Sequence, residues 1–247
     1  KPRDSKKDRL TQFHMDIAAS IQKVTEDIMI KLAKSLKQEF NISNLCLAGG
    51  VALNCVANGK ILKEKIFDNI WVQPAAGDAG GSLGAALALW HIDQNNPRKV
   101  NLNDDMQGSY LGPEYSQAEI EEQLNRMGAK YETLKEDDLI DKASSCLSLG
   151  EAIGWFQGRM EFGPRALGCR SILGDPRSST TQKNLNLKVK YRESFRPFAP
   201  SILRDDLSQW FDIHVDSPYM LMVSNIKKDK MIEMSEDEKK LFGIDKL

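Results

Sequence analysis

Leu45-Cys46-Leu47-Ala48-Gly49-Gly50-Val51-Ala52-Leu53-Asn54 is the stretch on which the fold turns. A short apolar run ends at two glycines, the pattern of a buried strand that turns directly into a helix. Upstream, Leu10, Phe13, Ile17, Ile21, Val24, Ile28, Leu32, Leu36 and Phe40 fall at helical spacing, which predicts one long amphipathic helix over residues 10–40. Downstream, a second helix is expected over 51–65 and a second strand over 70–73. Pro74, Gly77 and Gly80-Gly81 then break the chain before a small-residue helix over 82–90. The order helix, strand, helix, strand, helix is that of parallel α/β layers, whose ligands sit in the loops beyond the strand ends.

The polar stretch 95–107, with Asn95-Asn96-Pro97 and Asn103-Asp104-Asp105, reads as a linker between a first unit over 1–94 and a second over 108–247. In the second unit helices are expected near 116–127 and 136–149. A strand follows over 152–156, an Arg- and Gly-rich loop, a strand near 170–173, and a helix over about 179–188. This part reads as α+β, the first as α/β.

With 247 residues and 41% hydrophobic content the chain can bury a core, and its net charge of −1 gives no global attraction to nucleic acid or an anionic membrane. No apolar run is long enough to span a bilayer and no signal peptide is evident, so a cytoplasmic location is expected. Cys46, Cys55, Cys146 and Cys169 are scattered and read as reduced core or near-core thiols, and His14, His91 and His214 are not spaced as metal ligands.

Four stretches carry chemistry. Gly49 and Gly50 let a ligand approach the backbone at a helix start, and Asn54 offers an amide one turn on; the bland alternative is a tight turn with no ligand. In Ala76-Gly77-Asp78-Ala79-Gly80-Gly81, Asp78 is either a helix cap or a carboxylate open to a metal or a nucleotide-bound cation. Gly158-Arg159-Met160-Glu161-Phe162-Gly163-Pro164-Arg165-Ala166-Leu167-Gly168-Cys169-Arg170 sets Arg159, Arg165 and Arg170 among glycines, as an oxyanion pocket would. The alternative there is a structural network in which Glu161 or Asp175 satisfies the arginines. Lys190, Arg192 and Arg196, interleaved with Phe195, Pro197, Phe198 and Pro200, repeat the theme on a stiff loop suited to a bound phosphate.

Together these motifs resemble the O-carbamoyltransferases of the nodulation and cephamycin-biosynthesis type, most specifically over residues 48–58, 77–86, 155–173 and 190–202. The resemblance implies that 1–94 is the last part of an actin-like ATPase-fold domain and 108–247 the front of a YrdC-like domain. It implies an enzyme that joins the carbamoyl group of carbamoyl phosphate to AMP, using ATP, and passes it to a hydroxyl of an acceptor. Carried over by residue, Lys190, Arg196 and Arg165 hold carbamoyl phosphate and the ATP phosphates, with Arg159, Arg170 and Arg192 around them. Gly49, Gly50, Asn54, Gly80 and Gly81 contact nucleotide, and Asp78 is a ligand of magnesium or iron.

The family's phosphate-binding hairpin and metal-binding histidines are not in this sequence. The chain also opens at Lys1 without methionine and closes after a charged run. It therefore reads as an internal piece, incomplete at both catalytic centres and at most a weak binder by itself. Two other readings stand beside this one. A kinase-like ATP-binding module of the actin and sugar-kinase class would account for the glycine turns but not the arginines. A tRNA-binding surface over 183–204 is opposed by the near-neutral charge and the aromatics between the cations.

Overall fold

The computed structural model describes residues 10–101 and 103–241. Two small sheets and eight helices organise them. Helix α1 (Gln12–Phe40) leads into β1 (Asn44–Leu47) through Asn41, whose left-handed conformation stops the helix. A single tight turn over Gly50–Leu53 precedes α2 (Cys55–Lys63), so the second helix starts later than its apolar pattern implies. The cause is Asn54, whose side chain accepts from Ala57 N and caps α2.

Strand β2 (Asn69–Val72) pairs parallel with β1, Leu47 opposite Val72. Helix α3 (Asp78–Ala88) follows and ends in one wide turn over Leu89–Asp93, where Gln94 N donates to Leu89 O at 3.0 Å. In the second half, α4 (Gln117–Arg126) is started by Ser116 and Glu119, which cap each other reciprocally. Helix α5 (Glu136–Ser148) carries three acidic residues in its first turn, where the helix dipole favours them. Strands β3 (Ile153–Phe156) and β4 (Arg170–Leu173) form an antiparallel pair, and α6 (Thr181–Asn184), α7 (Leu207–Trp210) and α8 (Glu236–Lys240) are short.

Two apolar clusters hold these elements. One joins Ala33 of α1 to Leu45, Ile61 and Phe67, with Met29 and Ile30 packed against it. The other joins Ala52, Val72 and Ala76 to Met106, Tyr219 and Leu221, with Phe162 and Leu167 beside them. This second cluster draws on both sides of the polar stretch 95–107, and Met106, inside that stretch, is buried.

The long helix is present, but its apolar stripe is not what the described residues bury. Ile21 is 63% exposed and Ile28 52%, whereas Ala33 is 3% exposed and Glu26 4%. Glu26 lies inside because Lys60 of α2 reaches it and Gln22 donates to it at 2.9 Å, so a paired carboxylate takes a place that periodicity assigns to a solvent face. Among the described residues nothing covers the stripe. Cys46 is likewise exposed rather than near the core, because β1 turns that side chain outward.

Candidate functional site

The parallel register brings the ends of β1 and β2 to one edge. Gly49 N donates to Ala76 O at 2.8 Å, so the two glycine turns are joined directly, and the expected shared edge is present. The glycines there differ in what requires them. Gly49 has φ 92°, a conformation that side chains disfavour. A Cβ on Gly80 would fall 2.1 Å from Ala75 O, so Gly80 lets α3 approach the preceding turn. A Cβ on Gly50 or Gly81 would meet nothing within 4 Å. At those two positions a bare backbone faces open space, where a ligand can reach it.

Asn54 is committed elsewhere. Besides capping α2, its amide exchanges hydrogen bonds with Gln22 of α1 at 2.9 and 3.2 Å. Asp78 is exposed at the first position of α3, and among the described residues no three of His, Cys, Asp and Glu gather as a metal site. One carboxylate falls well short of the roughly six oxygen ligands that a hard divalent cation takes.

The arginine loop lies against this edge. Gly163, at φ 118°, packs so closely on the preceding turn that a Cβ would sit 3.2 Å from Ala75 Cβ. Arg165 donates to Leu53 O at 3.2 Å, while its Nε is buried with no partner. Arg170 spends its donors within the loop: on Glu161 at 3.2 Å, Gly163 O at 2.5 Å and Arg165 O at 3.2 Å. The loop closes around Glu161, whose buried carboxylate also accepts from Leu167 N at 2.6 Å and Cys169 N at 2.8 Å. Burial pushes that carboxyl up. The hydrogen bonds from Cys169 and Leu167 and the Arg170 charge outweigh burial, and hold it below its ordinary value. Arg159 donates to Gly112 O at 3.1 Å and lies 3.5 Å from Glu114.

The segment after α6 is braced from beneath. Buried Asn186 donates to Ser194 O at 3.0 Å and Arg196 O at 2.8 Å, and Gln182 donates to Phe195 O and Arg196 O, both at 3.2 Å. Arg192 donates to Asn186 at 2.6 Å and stacks 4.9 Å over the Phe198 ring. Arg196 pairs with Glu193 at 2.6 Å, and Lys190 is exposed with no side-chain partner among the described residues. Arg165 and the pair Lys190 and Arg196 are thus held by different parts of the structure. Sequence reasoning missed Gln22, Asn58 and Asn186, because each finds its partners through the fold rather than at a fixed spacing.

Two family models match the chain: one described as carbamoyltransferase N-terminus over residues 2–87, and one described as carbamoyltransferase C-terminus over residues 144–239. An uncharacterized protein of Synechocystis sp. is 53% identical over 248 residues, covering 100% of this chain and 40% of that protein. The nodulation protein NolNO of Sinorhizobium fredii is 42% identical over 89% of this chain and 32% of its own length. The 3'-hydroxymethylcephem-O-carbamoyltransferase of Streptomyces clavuligerus is 31% identical over 86% of this chain and 38% of its own length. The chain therefore spans less than half the length of these curated relatives.

Proposed function

The chain belongs to the carbamoyltransferase family, and on that premise we propose that it is part of an ATP-dependent O-carbamoyltransferase. In this reading carbamoyl phosphate, ATP and one water give carbamoyl-adenylate, with phosphate and pyrophosphate released, and the carbamoyl group then passes to a hydroxyl of a small-molecule acceptor, which releases AMP. The first half is taken as part of an actin-like ATPase fold and the second as part of a YrdC-like unit. The family match of both segments carries this reading. The name of the cephem relative supports a hydroxyl acceptor, since that protein acts as an O-carbamoyltransferase on a hydroxymethyl compound.

The geometry gives the reading a physical basis. Joining two polyanions requires fixed cations that neutralise charge as they approach. Arg165 stands next to the glycine edge, where Gly50 and Gly81 leave the backbone open, and Lys190 and Arg196 stand on a loop that Asn186 and Gln182 brace. Asp78 at the start of α3 opposes a bare phosphate there. A divalent cation would offset that repulsion, but the described residues do not suffice to hold one and no step is assigned to it. The kinase-like alternative leaves the arginine loop without a task.

In a protein of the relatives' length that carries this chain, Arg196→Lys keeps the charge and loses the planar fork. It should slow carbamoyl-adenylate formation by about tenfold or more, because one hydrogen bond to a charged group is worth about 1.5–3 kcal/mol. Preformed carbamoyl-adenylate should restore product. An unchanged rate of adenylate formation, or a variant that fails even with preformed adenylate, would remove Arg196 from this step.

A further inference from the structure

Lys188, Lys190, Arg192 and Arg196 share one short segment with a single anion, Glu193. Like charges so close repel one another, so the segment needs a hold that leaves their positive field intact. The arginine loop over 158–170 shows the opposite solution, since buried Glu161 closes it and neutralises Arg170 in doing so. The later segment is closed chiefly by amides. Helix α6 widens into one looser turn over Leu185–Val189, where Lys190 N donates to Leu185 O at 2.9 Å. Asn186 lies in that turn, 0% exposed, beneath the cations.

Both polar atoms of the Asn186 side chain are committed to this segment. Its Nδ2 donates to Ser194 O at 3.0 Å and Arg196 O at 2.8 Å, and its Oδ1 accepts from Arg192 Nε at 2.6 Å. Its main-chain carbonyl accepts from Arg192 N at 2.9 Å. One neutral side chain thus fixes both arginines and brings no charge to cancel theirs. Tyr191 is carried along at φ 49°, a left-handed conformation costly for a side-chain-bearing residue, and its ring is 86% exposed, so its own packing does not hold it there. The side-chain pair of Arg196 with Glu193 is partly exposed on both sides, and such pairs contribute little. Gln182 adds the longer contact to Arg196 O, at 3.2 Å, from an exposed position.

We propose that Asn186 is a positioning residue, which orders this segment so that Arg196 presents its guanidinium before the substrate arrives. The assignment rests on the carbamoyl-phosphate reading of Arg196. Its effect is preorganisation, because a segment already ordered loses little further entropy on binding. In this chain, amide exchange at Arg192 and Arg196, both hydrogen-bonded within the segment, should quicken about tenfold in Asn186→Ala while α1 exchanges as before. Asn186→Asp keeps the acceptor for Arg192 and loses the donor to the two carbonyls, so it should exchange as fast. In a protein of the relatives' length, Asn186→Ala should raise the KM for carbamoyl phosphate about tenfold at nearly unchanged kcat, because bound substrate restores the order. Gln182→Ala removes the second brace without touching the core and should move KM the same way, by about threefold. Combined with Arg196→Lys, Asn186→Ala should add much less than its own tenfold, since both act through residue 196. A purely structural role would lower kcat through loss of folded protein and leave KM unmoved. Unchanged exchange in Asn186→Ala, wild-type exchange in Asn186→Asp, an unmoved KM in both alanine variants, or effects that multiply in full would each overturn the proposal. A wild type that forms no carbamoyl-adenylate would overturn the functional reading and this assignment with it, whereas failure in the variants alone overturns only the assignment.

Discussion

Glu161→Ala lowers the stability of this chain by about 3–5 kcal/mol, the cost of breaking a buried ion pair by removing one partner. The carboxylate in the wild type is wholly buried and satisfies two backbone donors, Leu167 N and Cys169 N, together with Arg170. Without it those donors stay buried and unpaired, and Arg170 keeps only main-chain carbonyls. For a chain of this size each kcal/mol shifts the midpoint by about 2–4 °C, so a thermal melt at pH 7 should fall by about 6–20 °C. The pH dependence follows from the lowered carboxyl. Its stabilising share is complete above the ordinary carboxylate value of about 4.3 and is lost as pH falls through the lower folded value. The gap between wild type and variant should therefore be constant around neutrality and close in acid. An unchanged melt, or a gap indifferent to acid, would mean the loop is held by something other than Glu161.

Gly59→Ala should cost about 2 kcal/mol or more, although alanine is the better helix former by about 1 kcal/mol. The added Cβ would fall 2.2 Å from Val223 O and 3.1 Å from Val223 N, and backbone atoms cannot swing aside as a flexible side chain can. Residues 219–223 are bound to α2 at this point: Val223 N donates to Cys55 O at 3.1 Å and Asn58 donates to Leu221 O at 2.9 Å. Displacing the segment also pulls Tyr219 and Leu221 out of the shared core. Limited proteolysis should show new cleavage near 219–223. Gly81→Ala is the control, since its Cβ meets nothing within 4 Å inside α3, and it should be neutral or slightly stabilising. If both variants melt alike, the close approach at Gly59 is not what holds the segment down.

These two sites show where the sequence was readable. Strands over 44–47, 69–72 and 170–173 could be placed because short apolar runs are fenced by glycine, proline or turn residues, a strictly local signal. The return of 219–223 onto α2 could not, since Asn58 and Leu221 lie 163 positions apart. Periodicity announced α1, yet it reports only that a helix has an apolar face and says nothing of what packs there. The face actually buried is set by Ala33 and by the pairing of Glu26 with Lys60. In the arginine loop the residue types suggested anion binding for all three arginines. The fold divides them: Arg170 serves Glu161, Arg159 is offset by Glu114, and Arg165 alone reaches the glycine edge, because loop closure rather than composition decides which guanidinium is spent.

The central claim is the chemistry assigned to these paired halves. It is tested most directly by supplying ATP and carbamoyl phosphate to a protein of the relatives' length that carries this chain, and following nucleotide and pyrophosphate together. Carbamoyl-adenylate and pyrophosphate should appear only when both substrates are present, and AMP should accumulate only once a hydroxyl acceptor is added. Release of ADP without carbamoyl phosphate would contradict the account and return the glycine edge to a kinase-like ATPase.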